Sequence, residues 1–327
     1  MKRVIVSLVL FALSTAFGQQ PSIRDSIMMD STARRRVLTE ADVALKHHYV
    51  NRAMAAKIAN VLAAHEKAGD DERAVKASEF AALVTRQMHD ASDDHGLELV
   101  YSDRTLPMVI PPQSSASLPP GYREEMQRIN CTFSKIEVLP HNVGYLKFDA
   151  FPPLSVCEQA IRAAMKRVNG VDALIIDLRD NRGGFGEAGS LIASYLFDHP
   201  VYWFNPRENI SRNSWLRSPV IDSKLWNKAI FVLTSGVTIS AAEQFTYNLK
   251  MLKRATLVGE TTAGEAHAAV FYRLEDHFGI AITEVNAINP YSKYDWNGTG
   301  IEPDVRVKAD TALAKALNLL NEHPHRN

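Results

Sequence analysis

Cysteine is nearly missing from this chain: Cys131 and Cys157 are the only two in 327 residues. Two cysteines build neither a disulfide scaffold nor a zinc site. They can pair, or Cys157 can stay a buried thiol, since Leu154, Cys157, Ile161, Met165 and Val168 share one helical face. Both readings stand. Excess charge is missing too, because 37 Lys and Arg balance 37 Asp and Glu. That removes the electrostatic reason to expect nucleic acid as a partner. There is no P-loop and no HExxH, and neither a metal nor an organic cofactor is expected. Long apolar runs are absent as well. Val4–Leu13 is too short to cross a bilayer, and no later run is longer. With Lys2 and Arg3 before it and small residues up to Gly18 after it, this run reads as a signal peptide over 1–18. An exported chain, periplasmic or secreted, with no transmembrane segment, is expected.

The residues after Gly18 suffice for one large core or two modest ones. Met54, Ile58, Val61 and Leu62 fit one helical face, and Phe80, Leu83, Val84 and Met88 fit another. The spacing predicts a helical domain over 19–102, closing on the turn Ala91–Gly96 and a strand over Leu97–Ser102. Residues 103–141 read as a linker and connecting segment, rich in proline and serine over Pro107–Gly121. From 142 to 327, short apolar runs alternate with helical periods, the pattern of an α/β core domain.

Two strand-to-helix junctions carry the chemistry. Ala229–Leu233 is an apolar run, and Ala242, Phe245, Leu249 and Leu252 then mark a helical face. Ser240 falls at the junction, where the first N–H groups of the helix lack partners and the helix dipole is positive. A serine there is most simply an N-cap, and Glu243, three residues on, completes a capping box and reads as structural. A hydroxyl at that place can also be a nucleophile beside an oxyanion site. The second junction is Ala173–Leu178, running through Arg179-Asp180-Asn181-Arg182-Gly183-Gly184 into a helix. Two glycines in a tight turn present free backbone N–H groups.

Together these stretches resemble peptidase family S41, the tail-specific and carboxy-terminal processing proteases and the interphotoreceptor retinoid-binding modules. Asp177–Gly184 is similar to the branch pattern D-L-R-x-N-x-G-G, and Thr234–Glu243 to T-S-x-x-T-x-S-A-x-E. Val258–Gly264 resembles V-G-E-x-T-x-G, and Gly300–Val305 resembles the closing G-V-x-P-D-V with isoleucine for the first valine. The resemblance implies a ClpP/crotonase-like spiral of ββα units preceded by a small helical domain. It also implies peptide or protein substrates. About forty residues between Ser102 and Asn142 are too few for the PDZ domain that many processing proteases carry there.

The resemblance also shows where this chain departs. The processing proteases place a lysine base after V-G-E, where Glu265 stands here, with Ala269 in place of a supporting glutamine. The nearest lysines, Lys250 and Lys253, are expected on the exposed side of the helix. The tricorn-like branch takes a histidine from the earlier region, which maps to His95, within one residue of register. Its orienting glutamate maps to Asn297, and an amide can orient an imidazole but cannot stabilise its cation. His267, in Gly264-Glu265-Ala266-His267, competes with His95 as base or lines the substrate pocket. The implied site is therefore Ser240 as nucleophile, His95 or His267 as base, Asn297 as orienter, and Gly183, Gly184 and Ala241 as oxyanion donors. A serine endopeptidase is the leading expectation. The alternative is a weak or inactive domain that binds a hydrophobic ligand or peptide. A crotonase-type acyl-CoA enzyme conflicts with export.

Overall fold

The computed structural model describes residues 28–70, 76–106, 109–110, 121–203, 219–266, 269–284, 292 and 296–322. The expected signal peptide and His267 lie outside them. The chain divides into two compact units: Ser115–Ala266 with Ala287–Asn327, and Phe17–Ser114 with His267–Asn286.

Among the described residues the second of these holds three helices, α1 (Ser31–His48), α2 (Arg52–Ala68) and α3 (Ala77–Ser92). Asp30 and Asn51 cap α1 and α2 by accepting from Ala33 N at 2.7 Å and Met54 N at 3.1 Å. Strands β1 (Glu98–Tyr101) and β2 (Val109–Ile110) follow. Unlike the sequence expectation, the helices do not stand alone. The distant hairpin β8 (Ala269–Arg273) and β9 (Phe278–Thr283) joins them in a four-stranded antiparallel sheet of order β1-β9-β8-β2. Ile280 and Ile282 pack with Phe80, Val84 and Met88 in one core. The hydrophobic face of the helices is satisfied by a sheet rather than by more helix.

The first unit is built on a six-stranded sheet of order β10-β7-β6-β5-β4-β3. Between α4 (Tyr122–Arg128) and β4 (Val143–Phe148), where a connecting segment is expected, the chain forms β3 (Phe133–Leu139), antiparallel to β4. The remaining pairs, with β5 (Ala173–Asp177), β6 (Ala229–Thr234), β7 (Thr256–Gly259) and β10 (Val305–Arg306), are all parallel. Side chains alternate across the sheet. Leu174, Ile176, Ile230 and Val232 face a core shared with α5 (Leu154–Arg167), α6 (Gly186–Ala193) and α7 (Ala241–Met251). Ile175, Phe231 and Leu233 face α8 (Ala312–Glu322). Burial on both faces explains why β5 and β6 read as continuous apolar runs. Cys131 and Cys157 form a disulfide with Cα atoms 5.8 Å apart, which decides the question the sequence left open.

Candidate active site

The β5 and β6 strands run side by side in register, Asp177 beside Leu233. Their carboxyl ends therefore bring the glycine turn and the Ser240 turn together, where ligands commonly bind in parallel sheets. Polar side chains fasten the two turns. Ser235 Oγ donates to Arg179 O at 2.5 Å, and Thr238 Oγ1 donates to Leu178 O at 2.8 Å. Ile239 N donates to Asn181 O at 3.2 Å. The threonine and serine of the T-S-x-x-T pattern thus take up backbone groups that the ending sheet leaves unpaired.

Ser240 is half-buried and precedes α7, with φ 59° and ψ −119°. A non-glycine residue at that φ is uncommon and costs about 1–3 kcal/mol unless its surroundings hold it. The Glu243 carboxylate supplies the hold. Its Oε2 accepts from Ser240 N and Glu265 N, both at 2.9 Å. Its Oε1 accepts from Thr262 Oγ1 at 2.6 Å and Gly264 N at 2.7 Å. The side chain is fully buried. Burial pushes its pKa up, against the pull of Thr262 and the three backbone amides. The structural role expected for Glu243 is wider than a cap, since it ties the serine turn to the loop after β7. That loop is where the lysine of the processing proteases would stand; Glu265 contributes its backbone there and is exposed. Lys250 is bonded elsewhere, to Glu302 O at 2.5 Å and Asp304 at 3.4 Å.

Gly183 closes against the serine. Its φ is 84°, and a Cβ on it would lie 2.8 Å from both Ser240 Cβ and Ile239 O. Only glycine fits this approach. Its N–H, however, donates to Asn181 Oδ1 at 2.9 Å. In this structure Gly183 shapes the turn, and its amide is engaged rather than directed outward. Asn181 also donates to Phe148 O at 2.9 Å, which anchors the turn to the end of β4. Gly184, with φ 123°, lies directly on Phe151 O, where a Cβ would collide. Ala241 is the first residue of α7, so its N–H has no partner within the helix.

Asn297 lies in a turn whose partners are the same loop after β7. It accepts from Ala266 N at 3.3 Å, and Gly298 N donates to Gly264 O at 2.8 Å. Ser240, Gly183, Gly184, Ala241, Glu243 and Asn297 thus form one connected neighbourhood. His95 belongs to the other compact unit. There it is exposed, 3.9 Å from the Asp93 carboxylate, and its ring meets that of His89 edge-on at 4.9 Å.

A buried ion pair under the glycine turn is a component that sequence reasoning missed. Arg179 forks onto Asp177 at 2.9 and 2.6 Å, and Tyr145 Oη donates to Asp177 Oδ2 at 2.6 Å. Burial alone would raise Asp177, but the Arg179 fork and the Tyr145 hydroxyl outweigh it and hold the carboxyl below its ordinary range. The signal was available, because a carboxylate ending the apolar run Ala173–Ile176 requires a cation nearby. Among the described residues no group of three or more His, Cys, Asp or Glu is placed to hold a metal ion. No helix among them is long and apolar enough to cross a membrane.

Residues 142–307 match the sequence model of Peptidase family S41, and the chain belongs to that family. It is 32% identical over 199 residues to carboxyl-terminal-processing peptidase 1 of the Arabidopsis thaliana chloroplast, covering 59% of this chain and 37% of that protein. It is 31% identical over 179 residues to the carboxyl-terminal-processing protease of a Picosynechococcus species, covering 54% and 42% respectively. The chain therefore spans about two fifths of the length of these relatives. Among solved structures, the photosystem II D1 C-terminal processing protease superposes with a TM-score of 0.53 at 17% identity, covering 85% of this chain and 94% of that one. Tricorn protease superposes with a TM-score of 0.55 at 13% identity, covering 89% and 37%. At such identities these likenesses show the fold.

Proposed function

We propose that this chain is a serine-type endopeptidase that hydrolyses peptide bonds through an acyl-enzyme on Ser240. The observation that carries the reading is the Ser240 backbone, held at φ 59° by Glu243 against Gly183 at the start of α7. A serine that is only a cap requires neither this conformation nor a carboxylate with four donors. Ser240 Oγ attacks the carbonyl carbon while a histidine takes its proton. His95 and His267 are the two bases offered, with Asn297 as orienter. The carbonyl oxygen becomes an oxyanion, stabilised by the N–H of Ala241 and by that of Gly184, in the turn that Gly183 shapes while its own N–H is held by Asn181. One such donor is worth about 3 kcal/mol. The amine leaves with the proton, and water then hydrolyses the ester. The substrates are peptides or proteins, met after export through the leader-like stretch 1–18.

The test is covalent labelling by a fluorophosphonate, read by intact mass. Wild type labels once and Ser240→Ala does not. Whichever of His95→Ala and His267→Ala also fails to label, while folded, identifies the base. A folded wild type that stays unlabelled from mildly acidic to mildly basic pH overturns the proposal and turns attention to a ligand-binding role.

A further inference from the structure

We propose that the Cys131–Cys157 disulfide is a positioning brace for the glycine turn, so that the chain gains a competent site only once these cysteines are oxidised. The proposal rests on Ser240 as the nucleophile. The bond joins the turn before β3 to the first turn of α5. The ring it closes contains β3, β4 and the strap 149–153. Asn130, Cys131 and Thr132 all have positive φ, 50°, 51° and 69°. Three successive non-glycine residues in that region persist only where neighbours hold them.

What this turn holds in return is the strap. Thr132 Oγ1 donates to Ala150 O at 2.6 Å, and Asp149 N donates to Thr132 O at 3.2 Å. The other edge of the strap carries the glycine turn. Arg182 N donates to Asp149 O at 2.8 Å, Phe151 N to Gly183 O at 2.7 Å, and Phe185 N to Phe151 O at 2.9 Å. An unbroken path of hydrogen bonds therefore runs from the residue after Cys131 to the glycine that touches Ser240. None of the four family-like motifs contains either cysteine.

Both cysteines are buried, Cys131 at 4% and Cys157 at 0% exposure. A soluble thiol does not reach the bond in the folded protein, so it forms during folding. The two thiols lose two protons and two electrons to a disulfide oxidant of the oxidoreductase class, which becomes a dithiol. In a reducing compartment the ring stays open. The consequence is a peptidase that is quiet where it is made and competent where cysteines oxidise.

The experiment compares oxidised wild type with Cys131→Ser/Cys157→Ser and with Cys131→Ala/Cys157→Val, which refills the buried volume. Two readouts are taken on each folded protein: fluorophosphonate labelling rate and amide exchange at Phe151, Arg182 and Phe185. The expected result is faster exchange at these three amides in both variants, unchanged exchange over Ala173–Asp177, and labelling slower by about ten- to a hundredfold, the scale of a misplaced catalytic group. A folded variant with wild-type exchange at the three amides, or with the wild-type labelling rate, overturns the brace. If oxidised wild type itself does not label but the exchange changes as expected, the brace stands and the nucleophile reading falls.

Discussion

Ser240 and Gly183 meet at a distance that leaves no room for a methyl group, so the site is decided by single atoms. Gly183→Ala places a Cβ 2.8 Å from Ser240 Cβ and forces an L-residue to φ 84°. The expected outcome is loss of fluorophosphonate labelling, with a destabilisation of about 1–3 kcal/mol in urea titration. Glu243→Gln turns an acceptor of four donors into a side chain whose NH2 faces two of them. Each buried donor left unpaired costs about 1–3 kcal/mol. Labelling falls as the Ser240 turn relaxes, and Glu243→Ala falls further. At Asp177 the sign of the pH dependence follows from its lowered pKa. The stabilisation is complete above the unfolded carboxylate value of about 4 and is lost as pH falls through the lower folded value. Arg179→Ala leaves a buried, unpaired carboxylate and costs about 3–5 kcal/mol at neutral pH. Thermal melts from pH 3 to pH 7 should show this cost shrinking towards acid as Asp177 protonates.

At the scale of elements, much was legible because periodicity survives without tertiary knowledge. Ala173–Leu178 and Ala229–Leu233 were readable as strands because both faces are buried, and β5 and β6 follow them within a residue. The helix after Ser240 was readable from Ala242, Phe245 and Leu249, although every residue from Ala241 to Leu249 is buried, polar ones included. What periodicity could not reveal is pairing across long separations. The β8–β9 hairpin falls within 142–327, the stretch expected to be the α/β core domain. It pairs instead with β1, Glu98 against Ala281, over a separation that no local signal encodes. Similarly, Cys131 and Cys157 could be named but not joined, since the geometry depends on a left-handed turn with no glycine in it. The disulfide closes a loop with a sequence separation of 26, which corresponds to about 3–4 kcal/mol of stability by chain entropy. Urea denaturation of Cys131→Ala/Cys157→Val should show a loss of that size.

Among the described residues each compact unit packs a core of its own, and this division has a measurable signature. The first has one cluster on each face of the parallel sheet, and the second joins α1, α2 and α3 to the antiparallel sheet. Phe80 is at the centre of the second, fully buried, with its ring edge-on to Phe278 at 6.2 Å. Phe80→Ala removes the transfer free energy of the ring and leaves a cavity, at a cost of about 3–5 kcal/mol. Cooperative opening follows packing rather than chain order. Amides of α1–α3, β1, β8 and β9 should therefore lose exchange protection together, although β8 and β9 lie about 170 residues after β1 in the chain. Those of Ala173–Asp177 and Ala229–Thr234 should keep theirs, because their contacts are made within the parallel sheet and the helices on its faces. Hydrogen exchange resolved by peptide mass distinguishes this from the division that chain order suggests, in which β8 and β9 would keep protection with the parallel sheet. The same comparison in Gly183→Ala should leave the α1–α3 core untouched, since that substitution acts in the turn between β5 and α6, against Ser240 at the start of α7.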